Sequence, residues 1–173
     1  PISHVQHEIV ITPKMSFGTG HHATTYMMMQ QMGEINFENK TVFDFGTGTG
    51  ILAILAEKLG AQRIIAIDVD DWSIENAKEN FERNGCSRIE VSLSSQVPVE
   101  QFDIVLANIN RNVILDYMPQ LVKALRKNAF ILFSGLLVAD DNAIIAAAEH
   151  KGLALLKREE RQGWLSLLFV IRE

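Results

Sequence analysis

A single cysteine, Cys86, stands in a chain of 173 residues, so no disulfide forms within it, and that scarcity suits a reducing compartment. No apolar run approaches the roughly 20 residues that span a bilayer, and no signal-peptide pattern opens the chain, so a cytoplasmic location away from membranes is the expectation. Positive charge is in deficit: 16 Lys and Arg against 21 Asp and Glu give a net charge of −5, which argues against a general binder of phosphate backbones. No internal repeat, linker or low-complexity tract divides it, and a chain of this length folds as one domain, here residues 1–173. Hydrophobic residues at 47% and charged residues at 21% are ordinary for an α/β domain.

What is present centres on residues 41–71. Thr41 to Phe45 is β-branched and aromatic and reads as a buried strand. Gly46, Gly48 and Gly50 punctuate a turn, and Ile51 to Leu59 suits a short helix closed by Gly60. Arg63 to Ile67 is a second strand ending at Asp68. A strand, a glycine turn, a helix and a strand tipped by an acid form the first half of a doubly wound nucleotide-binding sheet. Glycines let the backbone approach a ligand, and the helix start beyond them offers unpaired N–H groups. Asp68, 22 positions after Gly46, is placed to accept both hydroxyls of a ribose. The spacing Asp44-x-Gly46-x-Gly48-x-Gly50 departs from the dinucleotide G-x-G-x-x-G and looks like the first motif of S-adenosylmethionine-dependent methyltransferases.

Elsewhere, Glu8 to Thr12 is a strand candidate stopped by Pro13. A second glycine-rich loop, residues 15–25, runs into a helix over Tyr26 to Met32, whose methionines 27, 28, 29 and 32 read as core. His21 and His22 read equally as exposed loop residues or as ligand contacts, without the companions a metal needs. Asp70 or Asp71 caps a helix with Ile74, Ala77 and Phe81 on one face. Strands follow at 89–93, 102–107 and 129–134, with a helix through Leu125 that Pro119 breaks or restarts and another over 138–151. Leu153 to Glu159 and Trp164 to Ile171 close the chain as an antiparallel pair. The expected architecture is a three-layer, doubly wound, mostly parallel sheet with one antiparallel strand, Rossmann-like.

At the strand ends, the Gly46 loop, Asp68, Ser94 to Gln96 and Asn108 converge on one crevice. Methyl transfer from a sulfonium asks for alignment and exclusion of water. An amine acceptor must first be neutral, and a lysine begins near pKa 10.4. The neutral amide oxygen of Asn108 can hold amine N–H groups, whereas a carboxylate would favour the ammonium. The rival role for Asn108 is that of a turn residue after a strand.

Three segments carry a family resemblance: Met15-Ser16-Phe17-Gly18-Thr19-Gly20-His21-His22-Ala23-Thr24-Thr25, Val42 to Ile54 around the glycine turn, and Ala107-Asn108-Ile109 with Ser134-Gly135-Leu136 downstream. The chain resembles the ribosomal protein methyltransferase A family, which methylates amino groups of large-subunit ribosomal protein eleven, from about Glu8 to its end. The resemblance implies S-adenosylmethionine as cofactor and a ribosomal protein as substrate, with no direct nucleic-acid binding. It implies cofactor contacts at Thr25, Gly46, Asp68 and Asn108, joined by Phe17, Gly18 and Gly48, a catalytic role for Asn108, and His22 toward the substrate, where Asn110, beside Asn108, is expected as well. Two departures stand out. The family usually has Thr-His-Pro where this chain has His21-His22-Ala23, so only His22 has a counterpart. After Asn108-Ile109 the family commonly has Leu-Ala-Gly, and Asn110-Arg111-Asn112 reshapes the substrate-facing wall. The family's small N-terminal domain, which recognises the ribosomal protein, has no counterpart, so the chain is expected to be the catalytic domain alone. The rival readings are methylation of another protein or a small-molecule amine, and a non-catalytic adenosyl-binding module.

Overall fold

The computed structural model describes residues 6–11 and 21–172. Among them the chain alternates strands and helices from α1 (His21–Met32) through β1 (Thr41–Phe45), α2 (Ile51–Lys58), β2 (Arg63–Asp68) and α3 (Asp71–Arg83) to β3 (Ile89–Leu93). It continues through β4 (Phe102–Asn108), α4 (Arg111–Lys123), β5 (Leu125–Leu137), α5 (Asp141–His150), β6 (Leu153–Arg161) and β7 (Trp164–Ile171). The strands form one sheet in the order β3-β2-β1-β4-β5-β7-β6. All pairings are parallel except those of β7, which runs against both β5 and β6. The single reversed strand follows from the two-residue link Gln162-Gly163, both at positive φ, which turns β6 straight back into β7.

Burial explains the apolar reading of the central strands. β1 is buried at all five positions because helices cover both of its faces. On one face α1, α2 and α3 bring Met28, Met32, Ile54 and Phe81 against Val42, Ile64 and Leu106. On the other, α4 and α5 bring Ile114, Leu121 and Ile144 against Phe43, Phe102 and Ile131. No helix joins β3 to β4; residues 94–101 make that crossover alone, with Val97 packed onto the second core.

Four local expectations change. Residues 8–11 join no strand; instead Val10 donates its N–H to Asn84 Oδ1 at 2.8 Å and accepts from Asn84 Nδ2 at 2.7 Å, a side-chain amide standing in for a ladder partner. α1 starts at His21 rather than Tyr26. Pro119 lies inside α4 without ending it, because the buried Ile114, Met118 and Leu121 hold both halves of the helix on the sheet. β5 is longer than expected, with a register shift against β7 between Phe133 and Leu136.

Candidate active site

β1 has β2 on one side and β4 on the other, so the chain winds outward in both directions from this point and leaves a crevice beyond the strand ends. A cavity of about 470 Å³ occupies that crevice. Its polar lining is Gly46 from the turn after β1, Asp68 from the tip of β2, Ser94 and Ser95 after β3, and Asn108 and Asn110 around the end of β4. Phe45, Ile109, Val113 and Tyr117 give it an apolar wall. The volume falls in the range of roughly 300–1,000 Å³ common for small-ligand sites.

The glycine turn is shaped by contact on two sides. Gly46 has φ +76, and a Cβ there would lie 2.6 Å from Ile109 Cγ2; at Gly50, φ +84, it would lie 2.4 Å from Phe81 Cε1. Gly48, φ +58, faces open space, and its N–H donates to Asp68 Oδ2 at 2.9 Å. Asp68 Oδ1 accepts the N–H of Asp70 at 3.1 Å, so the carboxylate is held by one backbone donor on each oxygen and keeps acceptor capacity on both. Asp44, inside β1, is a different acid. It is 1% exposed, its Oδ2 accepts from Thr47 Oγ1 at 2.7 Å, and among the described residues its Oδ1 has no partner. Burial, reinforced by the nearby Asp68 charge and opposed by the Thr47 hydroxyl, pushes its carboxyl up to about 7.

Asn108 is set by a wedge. Ile109 donates its N–H to Ser134 O at 3.2 Å, and a Cβ on Gly135, φ +81, would strike the Ile109 carbonyl oxygen at 2.4 Å. Two glycines, one on β1's turn and one in β5, thus clear the space in which Ile109 sits and fix the segment that carries Asn108. Asn110 then caps α4, its Oδ1 accepting from Val113 N–H at 3.0 Å.

A family model, ribosomal protein L11 methyltransferase (PrmA), matches residues 3–172. The chain belongs to that family. The L11 methyltransferase of Porphyromonas gingivalis is 42% identical over 167 residues, covering 94% of this chain and 57% of the relative. The enzyme of the same name from Bacteroides fragilis is 38% identical over 169 residues, covering 96% of this chain and 60% of the relative. The chain therefore spans under two thirds of these family members. The crystal structure of ribosomal protein L11 methylase from Lactobacillus delbrueckii subsp. bulgaricus superposes with a TM-score of 0.84 at 32% identity, covering 89% of this chain and 81% of that one.

Of the site residues expected from the sequence, Gly46, Asp68, Asn108 and Asn110 line one cavity, and Gly48 is tied to it through Asp68. Thr25 and His22 lie on α1 and do not line that cavity. Thr25 Oγ1 is buried with no partner among the described residues, and His22 is exposed. Phe17 and Gly18 lie outside the described residues. Sequence reasoning missed the lining residues Ile109, Val113 and Tyr117. Only the i, i+4 spacing of Val113 and Tyr117 at the start of an amphipathic helix hinted at them. Among the described residues no cluster of three or more His, Cys, Asp or Glu is arranged to hold a metal ion, and no helix is long and apolar enough to cross a membrane.

Proposed function

We propose that this chain is the catalytic unit of an S-adenosylmethionine-dependent methyltransferase acting on amino groups of ribosomal protein L11. The observation that carries the reading is the meeting of Asp68 and Asn108 in one cavity at the reversal of strand order, within the family's fold. When bound, S-adenosylmethionine supplies a methyl group on a positively charged sulfonium. Asp68, with a lone pair left on each oxygen, takes the ribose hydroxyls. The turn at Gly46 and Gly48 lies along the methionine portion, and the family resemblance assigns Thr25, Phe17 and Gly18 to the same ligand. Phe45, Ile109 and Tyr117 keep water from the reacting atoms.

Asn108 contributes orientation. Its neutral Oδ1 accepts an N–H of the acceptor amine and turns the nitrogen lone pair toward the methyl group, without the bias toward ammonium that a carboxylate would impose. The amine loses its proton to solvent before attack. Asn110, on the cavity wall, is assigned to the acceptor side, the family resemblance alone assigns His22 to the substrate, and recognition of the ribosomal protein as a whole draws on parts of the family's longer chains.

Transfer of radiolabelled methyl groups to purified L11 tests the reading. Asn108→Ala is expected to lower kcat about a hundredfold or more while changing cofactor affinity far less. Asn108→Asp is expected to slow transfer and move its pH optimum upward, because the carboxylate holds the acceptor as ammonium. Cofactor binding without transfer to any ribosomal protein would mark a non-catalytic module, and transfer to other amines but not to L11 would reassign the substrate.

A further inference from the structure

A second cavity, also of about 470 Å³, opens beside the first, with Asn110 as the shared wall. Arg111 and Asn112 at the start of α4, Leu137 at the end of β5, Asp140 and Trp164 surround it. Resting on the amine-methylation reading, we propose that this cavity takes the stretch of acceptor polypeptide next to the reactive amine, and that Arg111 binds a carboxylate carried by that stretch.

Arg111 is poorly explained by stability. It is the first residue of α4, where the helix dipole disfavours a cation. Its ion pair with Asp140 Oδ1 is long, at 3.6 Å, and its contact with Asn112 Oδ1 is 3.4 Å. The side chain is 47% exposed, whereas that of Asp140 is 16% exposed and anchored, with Oδ2 accepting from Leu137 N–H at 2.9 Å. A guanidinium has five N–H donors, and these two long contacts, through Nη1 and Nη2, engage at most two of them, which leaves donors for an incoming carboxylate. Half-exposed Leu137 and the Trp164 ring offer apolar surface for the stem of the incoming side chain.

The chemistry gives such a contact a purpose. A carboxylate near the acceptor amine would hold it as ammonium, the form that cannot attack. Drawn to Arg111, that carboxylate is neutralised and moved off the amine. Docking and activation then favour the same arrangement.

Three synthetic peptides carrying one lysine, with glutamate, glutamine or arginine two residues away, test this. The wild-type chain is expected to favour the glutamate peptide over the glutamine peptide by roughly fivefold or more in kcat/KM, with the arginine peptide lowest. Arg111→Ala erases the preference without changing affinity for S-adenosylmethionine. Asp140→Asn, which keeps the bond from Leu137 N–H but releases Arg111, enlarges it. Equal use of the glutamate and glutamine peptides, a preference that survives in Arg111→Ala, or a preference for the arginine peptide overturns the proposal. Fluorescence anisotropy of the labelled glutamate peptide separates the two levels. Arg111-dependent binding without methyl transfer overturns the activity but keeps the docking site, and transfer with no dependence on Arg111 overturns the docking site alone.

Discussion

Asp44 and Asp68 stand at the base of one glycine turn and differ because their surroundings differ. Two backbone N–H groups hold Asp68 at the cavity edge. Removing it takes away the anchor of Gly48 and, on the proposed reading, the partner of the ribose hydroxyls. Asp68→Ala is expected to weaken S-adenosylmethionine binding in calorimetry by at least about tenfold, each unpaired hydroxyl costing about 1–3 kcal/mol, and Asp68→Asn by less. Unchanged affinity would remove the ribose assignment. Asp44 is buried, with a carboxyl near 7 against an ordinary 3.8, so between about pH 4 and pH 7 the folded chain binds a proton that the unfolded chain has released. Its contribution to stability is complete below pH 4, falls as pH rises through that window, and is flat above it. Asp44→Asn, neutral throughout, should gain on the wild type over the same window, reaching on the order of 4 kcal/mol above pH 7. Urea unfolding of both proteins at pH 5 and pH 8 checks the sign, and a difference that does not grow with pH refutes it. The place of Asp68 at the cavity edge was legible in the sequence, because it ends an apolar strand that follows a glycine turn. The state of Asp44 was not, since desolvation comes from covering layers remote in the chain.

At the scale of elements, the turn and cap positions follow local chemistry and were readable. Asp70 caps α3 by accepting from Trp72 N–H at 3.0 Å, as its place before an amphipathic run suggested. Pro119 and residues 8–11 misled because packing outweighed local preference: a buried helix face overrode the proline, and Asn84 satisfied Val10 without a strand. Gly135 shows what an element gains from a distant neighbour. Gly135 and Gly152 both have positive φ, but a Cβ at Gly152 meets nothing within 4 Å while one at Gly135 meets the Ile109 carbonyl. Gly152→Ala should cost only the backbone penalty of about 1–2 kcal/mol. Gly135→Ala should cost more, seen as a larger drop in urea midpoint, and should also depress methyl transfer by displacing Asn108. Equal losses for the two variants would refute the wedge at Ile109.

For the whole molecule, a ligand that binds only the folded chain stabilises it by mass action. S-adenosylmethionine at about a hundred times its Kd should add about 2.7 kcal/mol, a rise of roughly 5–10 °C in Tm for a chain of this size. NAD should give no shift in the same melt; a shift with NAD and none with S-adenosylmethionine would return the glycine turn to a dinucleotide. Strand and helix periods, the glycine turn with its trailing acid, and the reversed last strand are local or short-range patterns, so the amino-acid order alone determined the fold class and the loop ends on which a ligand site had to lie. Only the tertiary structure decided which loops meet. The Ile109 wedge depends on Gly46 and Gly135, and the second cavity joins Arg111 to Asp140 and Trp164, residues far apart in the chain. Burial and proximity of that kind are properties of the packed layers, which no local pattern encodes.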